Sequence, residues 1–130
     1  MFEDNTVYKK AKTFAKKTVE LYKHLTRYAM YKEFVMSKQM MRSGTSIGAN
    51  IKEGLYAQSV PDFISKFSIA LKEAGETEYW LELLAETDYI TNDKANEMLS
   101  DCQELIRLLA AIIKKKKDNL NNPFTPAAPC

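Results

Sequence analysis

Apolar residues recur along this chain at spacings of three and four, and no segment shows the alternation of a strand. Val7, Ala11, Phe14, Thr18, Leu21, Leu25 and Tyr28 form one such series. Phe63, Phe67, Ala70, Ala74, Thr77, Leu81 and Leu84 form a second. Ala95, Met98, Cys102, Leu105, Leu109 and Ile112 form a third, which Leu99, Ile106 and Ile113 widen. A three–four spacing places these residues on one face of a helix. Heptad regularity further favours shallow crossing angles between neighbours.

Breaks in the pattern divide the chain. "SVPD" (59–62) reads as a helix start, with Ser59 as N-cap and Asp62 closing a capping box. Thr91 or Asn92 offers another cap, followed by Asp93 in the first turn. Near Tyr28–Tyr31 the apolar phase slips. The pattern predicts an all-α, antiparallel, up-down-up-down four-helix bundle with helices at roughly 5–28, 32–56, 60–87 and 92–117. Residues 1–118 form the bundle domain. Residues 119–130, with three of the four prolines, are expected to be a disordered tail.

The second helix is unusual. "RSGTSIGANIKEG" (42–54) contains three of the chain's four glycines. On a helical wheel Met40, Gly44, Ile47, Gly48, Ile51 and Leu55 share an arc. Gly44 and Gly48 then face the bundle, where missing side chains let a neighbour approach. Each costs about 1 kcal/mol of helix propensity, which packing against Phe67 or Phe14 would offset. A true helix break near residue 44 is the competing reading. Gly54 is expected near a C-cap. On the opposite side Gln39, Arg42, Ser46, Asn50 and Glu53 form a polar stripe without lysine. Serine and asparagine are poor helix formers for a merely solvated face. Either the stripe is solvated, or it hydrogen-bonds a neighbouring helix, a second subunit or a ligand. A subunit fits better than a small ligand, because one helix face encloses no pocket.

"QMMRSGTSIGANIKEG" (39–54) resembles the hallmark of the 23S rRNA-intervening-sequence protein family, also called four-helix bundle proteins. Gln39, Arg42, Ser43, Ser46, Ile47, Asn50, Ile51, Glu53 and Gly54 match it. Met40 replaces a usual leucine, and Lys52 replaces a common alanine. Ala70, Glu76 and Glu78 match small and acidic positions in the family's second half. The resemblance covers roughly residues 7–113. It implies a four-helix bundle that assembles into a ring, typically a pentamer. The fold is similar to that of accessory proteins of diversity-generating retroelements, which bind a reverse transcriptase and nucleic acid. The family itself has no established biochemical activity.

The third helix adds a separate flank. Ile69, Trp80 and Leu83 lie away from its core arc, with Glu73 and Glu76 among them. A tryptophan with two aliphatic residues on one flank suits an oligomer seam, although a wide monomer core would also use them. Glu78 falls inside the apolar arc. Either it is buried and needs a partner, with Arg42 the candidate, or it reaches water at the edge.

Charge changes the picture last. The net charge is only +2, but Lys9, Lys12, Lys16, Lys23 and Arg27 line the outer face of the first helix, flanked by Lys10 and Lys17. That stripe is about 27 Å long. It is either a solvated face, a surface for RNA or DNA phosphates, or a basic face that pairs with the acidic third helix of a neighbour. "KKKK" (114–117) suits the C-terminal end of the fourth helix.

With 45% apolar and 28% charged residues, the chain reads as a globular protein with no membrane partner, and cytoplasm is the default location. Cys102 is expected to be buried and Cys130 exposed, with no disulfide framework. His24 has no cysteine or acid at ligand spacing, and no Glu-x-x-His pair suggests a metal. No catalytic residue, metal or cofactor is therefore expected. Two function classes remain. One is a homo-oligomeric scaffold or adaptor that binds nucleic acid and a protein partner. The other is a structural or protein-interaction module with no nucleic-acid role.

Overall fold

The computed structural model describes residues 2–121. Helix α1 (Phe2–Lys23) continues into a π-helical turn at His24–Tyr28, followed by α2 (Met36–Leu55), α3 (Val60–Glu86) and α4 (Asn92–Asn121). Helices α1 and α3 each pack against both α2 and α4, which closes a four-helix bundle. Residues 119–121 complete α4. The remainder of the expected tail, with Cys130, lies outside the described residues.

The apolar stripes meet in one core. Every position of the α3 and α4 series is buried, apart from the widening residues Leu99 and Ile106, which are half-buried. In the first series Val7 to Leu25 are buried, but Tyr28 is 75% exposed. The π turn explains this correction. Its wider winding advances each residue by less than an α turn does, so Tyr28 lags behind the core face. Cys102 is buried, and its Sγ lies 3.2 Å from the Ala74 carbonyl. Burial, with the charges of Glu78 and Asp101 nearby, pushes its thiol pKa up to about 12.

Local signals set the helix ends. Ser59 Oγ accepts from the Asp62 N–H at 3.2 Å, while the Asp62 carboxylate accepts from Gln58 N–H at 3.2 Å. Thr91, rather than Asn92, caps α4 by accepting from Lys94 N–H at 3.1 Å. Helix α2 begins four residues later than its periodicity implies, because Glu33 stops it. The Glu33 carboxylate accepts from the N–H groups of Val35, Met36 and Ser37 at 3.0, 3.1 and 2.7 Å. The Ser37 hydroxyl donates back to the Glu33 carbonyl at 2.7 Å. Glu33 N–H donates to Leu25 O at 2.9 Å, tying the connection to the first helical arm. These are the donors that a helix start otherwise leaves unsatisfied. Burial alone would raise the pKa of Glu33, but the three backbone donors outweigh it and hold the carboxyl below its ordinary value.

Helix α2 runs unbroken through its glycines. A Cβ at Gly44 would lie 2.7 Å from Thr18 Cγ2, and one at Gly54 would lie 2.6 Å from the Phe67 ring. At Gly48 the nearest atom would be Ala11 Cβ at 3.7 Å, an ordinary contact. Phe67 is thus the partner of Gly54, and the small Thr18 is the partner of Gly44. Gly54 is no left-handed cap, since no glycine among the described residues has positive φ. It sits in the last turn of α2 because the Phe67 ring lies against it. Between α2 and α3 the buried Thr77 hydroxyl hydrogen-bonds Ser43 Oγ at 2.8 Å and also lies 2.7 Å from the Glu73 carbonyl.

Gly44→Ala forces aside a β-branched side chain whose hydroxyl is held by Phe14 O at 2.9 Å. It should lower unfolding free energy by about 1–3 kcal/mol. Gly48→Ala should be neutral or stabilising by up to about 1 kcal/mol. Urea denaturation of the two variants checks this contrast, and equal effects would refute it. Glu33→Gln should cost about 1–2 kcal/mol at neutral pH. Because the folded pKa is depressed, the advantage of wild type over this variant is complete above the ordinary glutamate pKa. It shrinks as pH falls through the lowered folded value. Paired melts across acidic pH measure it.

Candidate functional site

Helical geometry gives α1 two kinds of lysine. Lys10 and Lys17 flank the core stripe and reach α4. Lys10 lies 3.2 Å from Glu104, and Lys17 lies 2.8 Å from Asp101 and 3.4 Å from Glu97. The hydrogen bond to Asp101, helped by the charges of Asp101 and Glu97, raises the Lys17 pKa against a burial penalty. Glu97 is correspondingly lowered by its hydrogen bond to Lys17 and the charges of Lys94 and Lys17.

Lys9, Lys12 and Lys16 point away from this seam. All three are exposed and form no ion pair with a described residue. Beyond them Lys23 lies 3.8 Å from Glu20, and Arg27 is exposed in the π turn. The five basic residues therefore share an outer surface, with a carboxylate near its middle. His24 is exposed beside Glu20 in an open cleft that Tyr89, Thr91 and Lys94 also line.

The polar stripe of α2 meets the flank of α3. Arg42 Nε donates to Gln39 Oε1 at 3.2 Å, and Nη1 donates to Glu73 at 3.3 Å. Nη2 donates to Glu76, whose same oxygen accepts from Trp80 Nε1 at 3.0 Å. Further along, Lys66 lies 3.4 Å from Glu53. Asn50 and Ser46 are linked within α2, with Asn50 Nδ2 donating to the Ser46 carbonyl at 2.9 Å. Trp80 and Leu83 are half-buried, and Ile69 is 37% exposed.

Glu78 is not part of this network. Its carboxylate accepts from Gln103 Nε2 on α4 at 3.1 Å, so the expected Arg42–Glu78 contact is replaced by contacts to Glu73 and Glu76. At about 100° per residue, positions 76 and 78 fall on opposite flanks of buried Thr77. Glu76 reaches α2 and Glu78 reaches α4. The half-buried edge position of Glu78 needs no buried countercharge.

Periodicity does not reveal the role of Glu33, nor with it the character of the connection between α1 and α2. The signal lies in an acid four residues before Ser37, and in a run of apolar residues that fits neither helix. Among the described residues no group of three or more histidine, cysteine or acidic side chains could hold a metal ion. No helix among them is long and apolar enough to cross a membrane.

The family description "23S rRNA-intervening sequence protein" matches residues 3–111. A solved structure from Bacteroides thetaiotaomicron VPI-5482, described as a protein with unknown function from the S23 ribosomal protein family, is 54% identical. The match covers 86% of this chain and 98% of that one, with a TM-score of 0.82. No curated protein matches.

The Arg42 network is half-exposed, with side-chain exposures of 47% for Arg42 and 37% for Glu76. In the single chain Arg42→Ala should therefore cost no more than about 1 kcal/mol. Denaturation at low protein concentration, followed by Trp80 fluorescence, checks this. A larger loss there would show that the network holds the single bundle together.

Proposed function

This chain belongs to the 23S rRNA-intervening sequence protein family, and from that premise we propose that it is a non-enzymatic, homo-oligomeric scaffold or adaptor. In this reading it assembles as a ring, with five copies as the expected number, and binds nucleic acid through the outer face of α1.

The observation that carries the reading is the division of lysines on α1. Lys10 and Lys17 are neutralised by α4, whereas Lys9, Lys12 and Lys16 keep uncompensated charge on one surface. Three cations on one rigid face suit phosphate contact without sequence readout. Repetition around a ring would add such weak contacts through multivalency. The α2–α3 flank is the surface proposed for assembly. Its Arg42 network leaves Ile69 exposed and Trp80 and Leu83 part-covered, and aromatic and aliphatic groups beside arginine suit an interface core. The same flank favours a second reading, a protein-interaction module with no nucleic-acid role.

Replacing Lys9, Lys12 and Lys16 with glutamate should weaken RNA or DNA binding by about ten-fold or more at low salt. It should also flatten the salt dependence by roughly 0.7–0.9 for each phosphate no longer neutralised. Filter binding across a salt series measures both. Unchanged affinity, or no binding by wild type at low salt, leaves the protein-interaction module. Native mass spectrometry should give one closed multiple of the chain mass, and a monomer at micromolar concentration would remove the ring.

A further inference from the structure

The connection from the end of the π turn to the start of α2 presents five large apolar side chains to solvent. Tyr28 is 75% exposed, Met30 89%, Tyr31 77%, Phe34 58% and Val35 75%. Single exposed apolar residues are ordinary, but five within eight positions are not. The segment is also held in place. Glu33 anchors it through its own N–H, its carbonyl and both carboxylate oxygens, and Ala29 N–H closes the preceding turn on His24 O at 2.8 Å. The side chains therefore face outward from a fixed backbone.

Within residues 27–38 the exposed charge has one sign. Arg27, Lys32 and Lys38 are exposed and form no ion pair with a described residue. The only carboxylate in the segment, Glu33, is 6% exposed and turned inward onto backbone donors. The outer surface thus combines three rings, Tyr28, Tyr31 and Phe34, with three cations.

We propose that residues 27–38 form a stacking platform for the unpaired bases of single-stranded nucleic acid. Tyr28, Tyr31 and Phe34 offer ring faces, while Arg27, Lys32 and Lys38 take the backbone phosphates. Charge complementarity selects this occupant. A contact between two copies of this patch would set its cations against themselves, and the ring contact, which joins unlike surfaces, is already assigned to the α2–α3 flank. An anionic chain with flat apolar bases complements both parts of the surface. Arg27 also ends the basic face of α1, so a strand could run from that face onto the rings. The inference rests on the nucleic-acid reading of α1 but adds a preference for unpaired bases, which lysines alone do not supply.

The test compares a 2-aminopurine-labelled single strand with a duplex of the same length, using the full chain. Wild type should bind the single strand more tightly and quench its fluorescence by stacking. The double substitution Tyr31→Ala with Phe34→Ala should weaken single-strand binding by about ten-fold or more and abolish the quench. Duplex affinity and the salt slope should stay unchanged, and Tyr31→Phe should behave as wild type. Both rings are exposed, and an unchanged circular dichroism melt will confirm folding. If wild type binds and the lysine-to-glutamate variant weakens it, but the ring variants bind and quench as wild type does, this inference alone fails. If wild type binds neither nucleic acid, both readings fail. Ring-dependent binding to anionic vesicles, with single-strand affinity unaffected by the ring variants, would assign the surface to a membrane and overturn the proposal.

Discussion

Where α1 crosses α2, the Thr18 side chain occupies the space that a Cβ on residue 44 would need. The two helices can sit this close only because residue 44 has no side chain. The same exclusion recurs at the far end of α2, where the Phe67 ring lies against Gly54. Beside the first of these points Ser43 and Thr77 satisfy one another across the α2–α3 contact, so close approach strands no buried hydroxyl. Helix α2 gives up intrinsic helix propensity at its glycines and recovers it through packing with neighbours. Arg42 can span to both Glu73 and Glu76 because the two helices are near each other.

Periodicity carried most of the fold into the sequence, because burial in a bundle depends on angular position around each helix. That logic identified the buried faces of α3 and α4 and the inward arc of α2. It failed where the winding changed or where a side chain acted on backbone. Tyr28 keeps the heptad spacing but follows a π turn, whose hydrogen-bond shift leaves no mark in the apolar pattern. Glu33 reads as a helical surface residue until its carboxylate is seen to close the start of α2. Gly54 does lie at the end of α2 as its sequence position suggests, but the reason for a glycine there, the Phe67 ring thirteen positions away, is not visible in the pattern. The choice between Glu76 and Glu78 as partner for Arg42 depended on which flank of Thr77 faces α2. The single-helix wheel could not supply that answer without the order of helices around the bundle.

The candidate site was legible in the same uneven way. The α1 lysines could be assigned to one face from spacing, but not sorted into paired and unpaired sets. That sorting depends on Glu97, Asp101 and Glu104 of α4, eighty or more positions away in the chain. Once α4 takes Lys10 and Lys17, the remaining charge of α1 is confined to a narrower surface. A modest net charge can therefore coexist with a locally cationic face, since potential near a surface follows local arrangement rather than the total.

Glu33 links folding to the character of the surface at the bundle's end. An apolar connection with free backbone would tend to fold its side chains back onto the nearest apolar surface. Here the backbone is committed instead, through the N–H to Leu25, the carbonyl to Ser37 and the carboxylate to the first donors of α2. Turning Glu33 inward also takes the one carboxylate of the connection away from its exposed surface. A single buried carboxylate thus orders the connection and leaves its exterior cationic and aromatic. Conformational entropy given up on folding is then not given up again on binding, the advantage a preorganised surface has over a disordered one of the same composition.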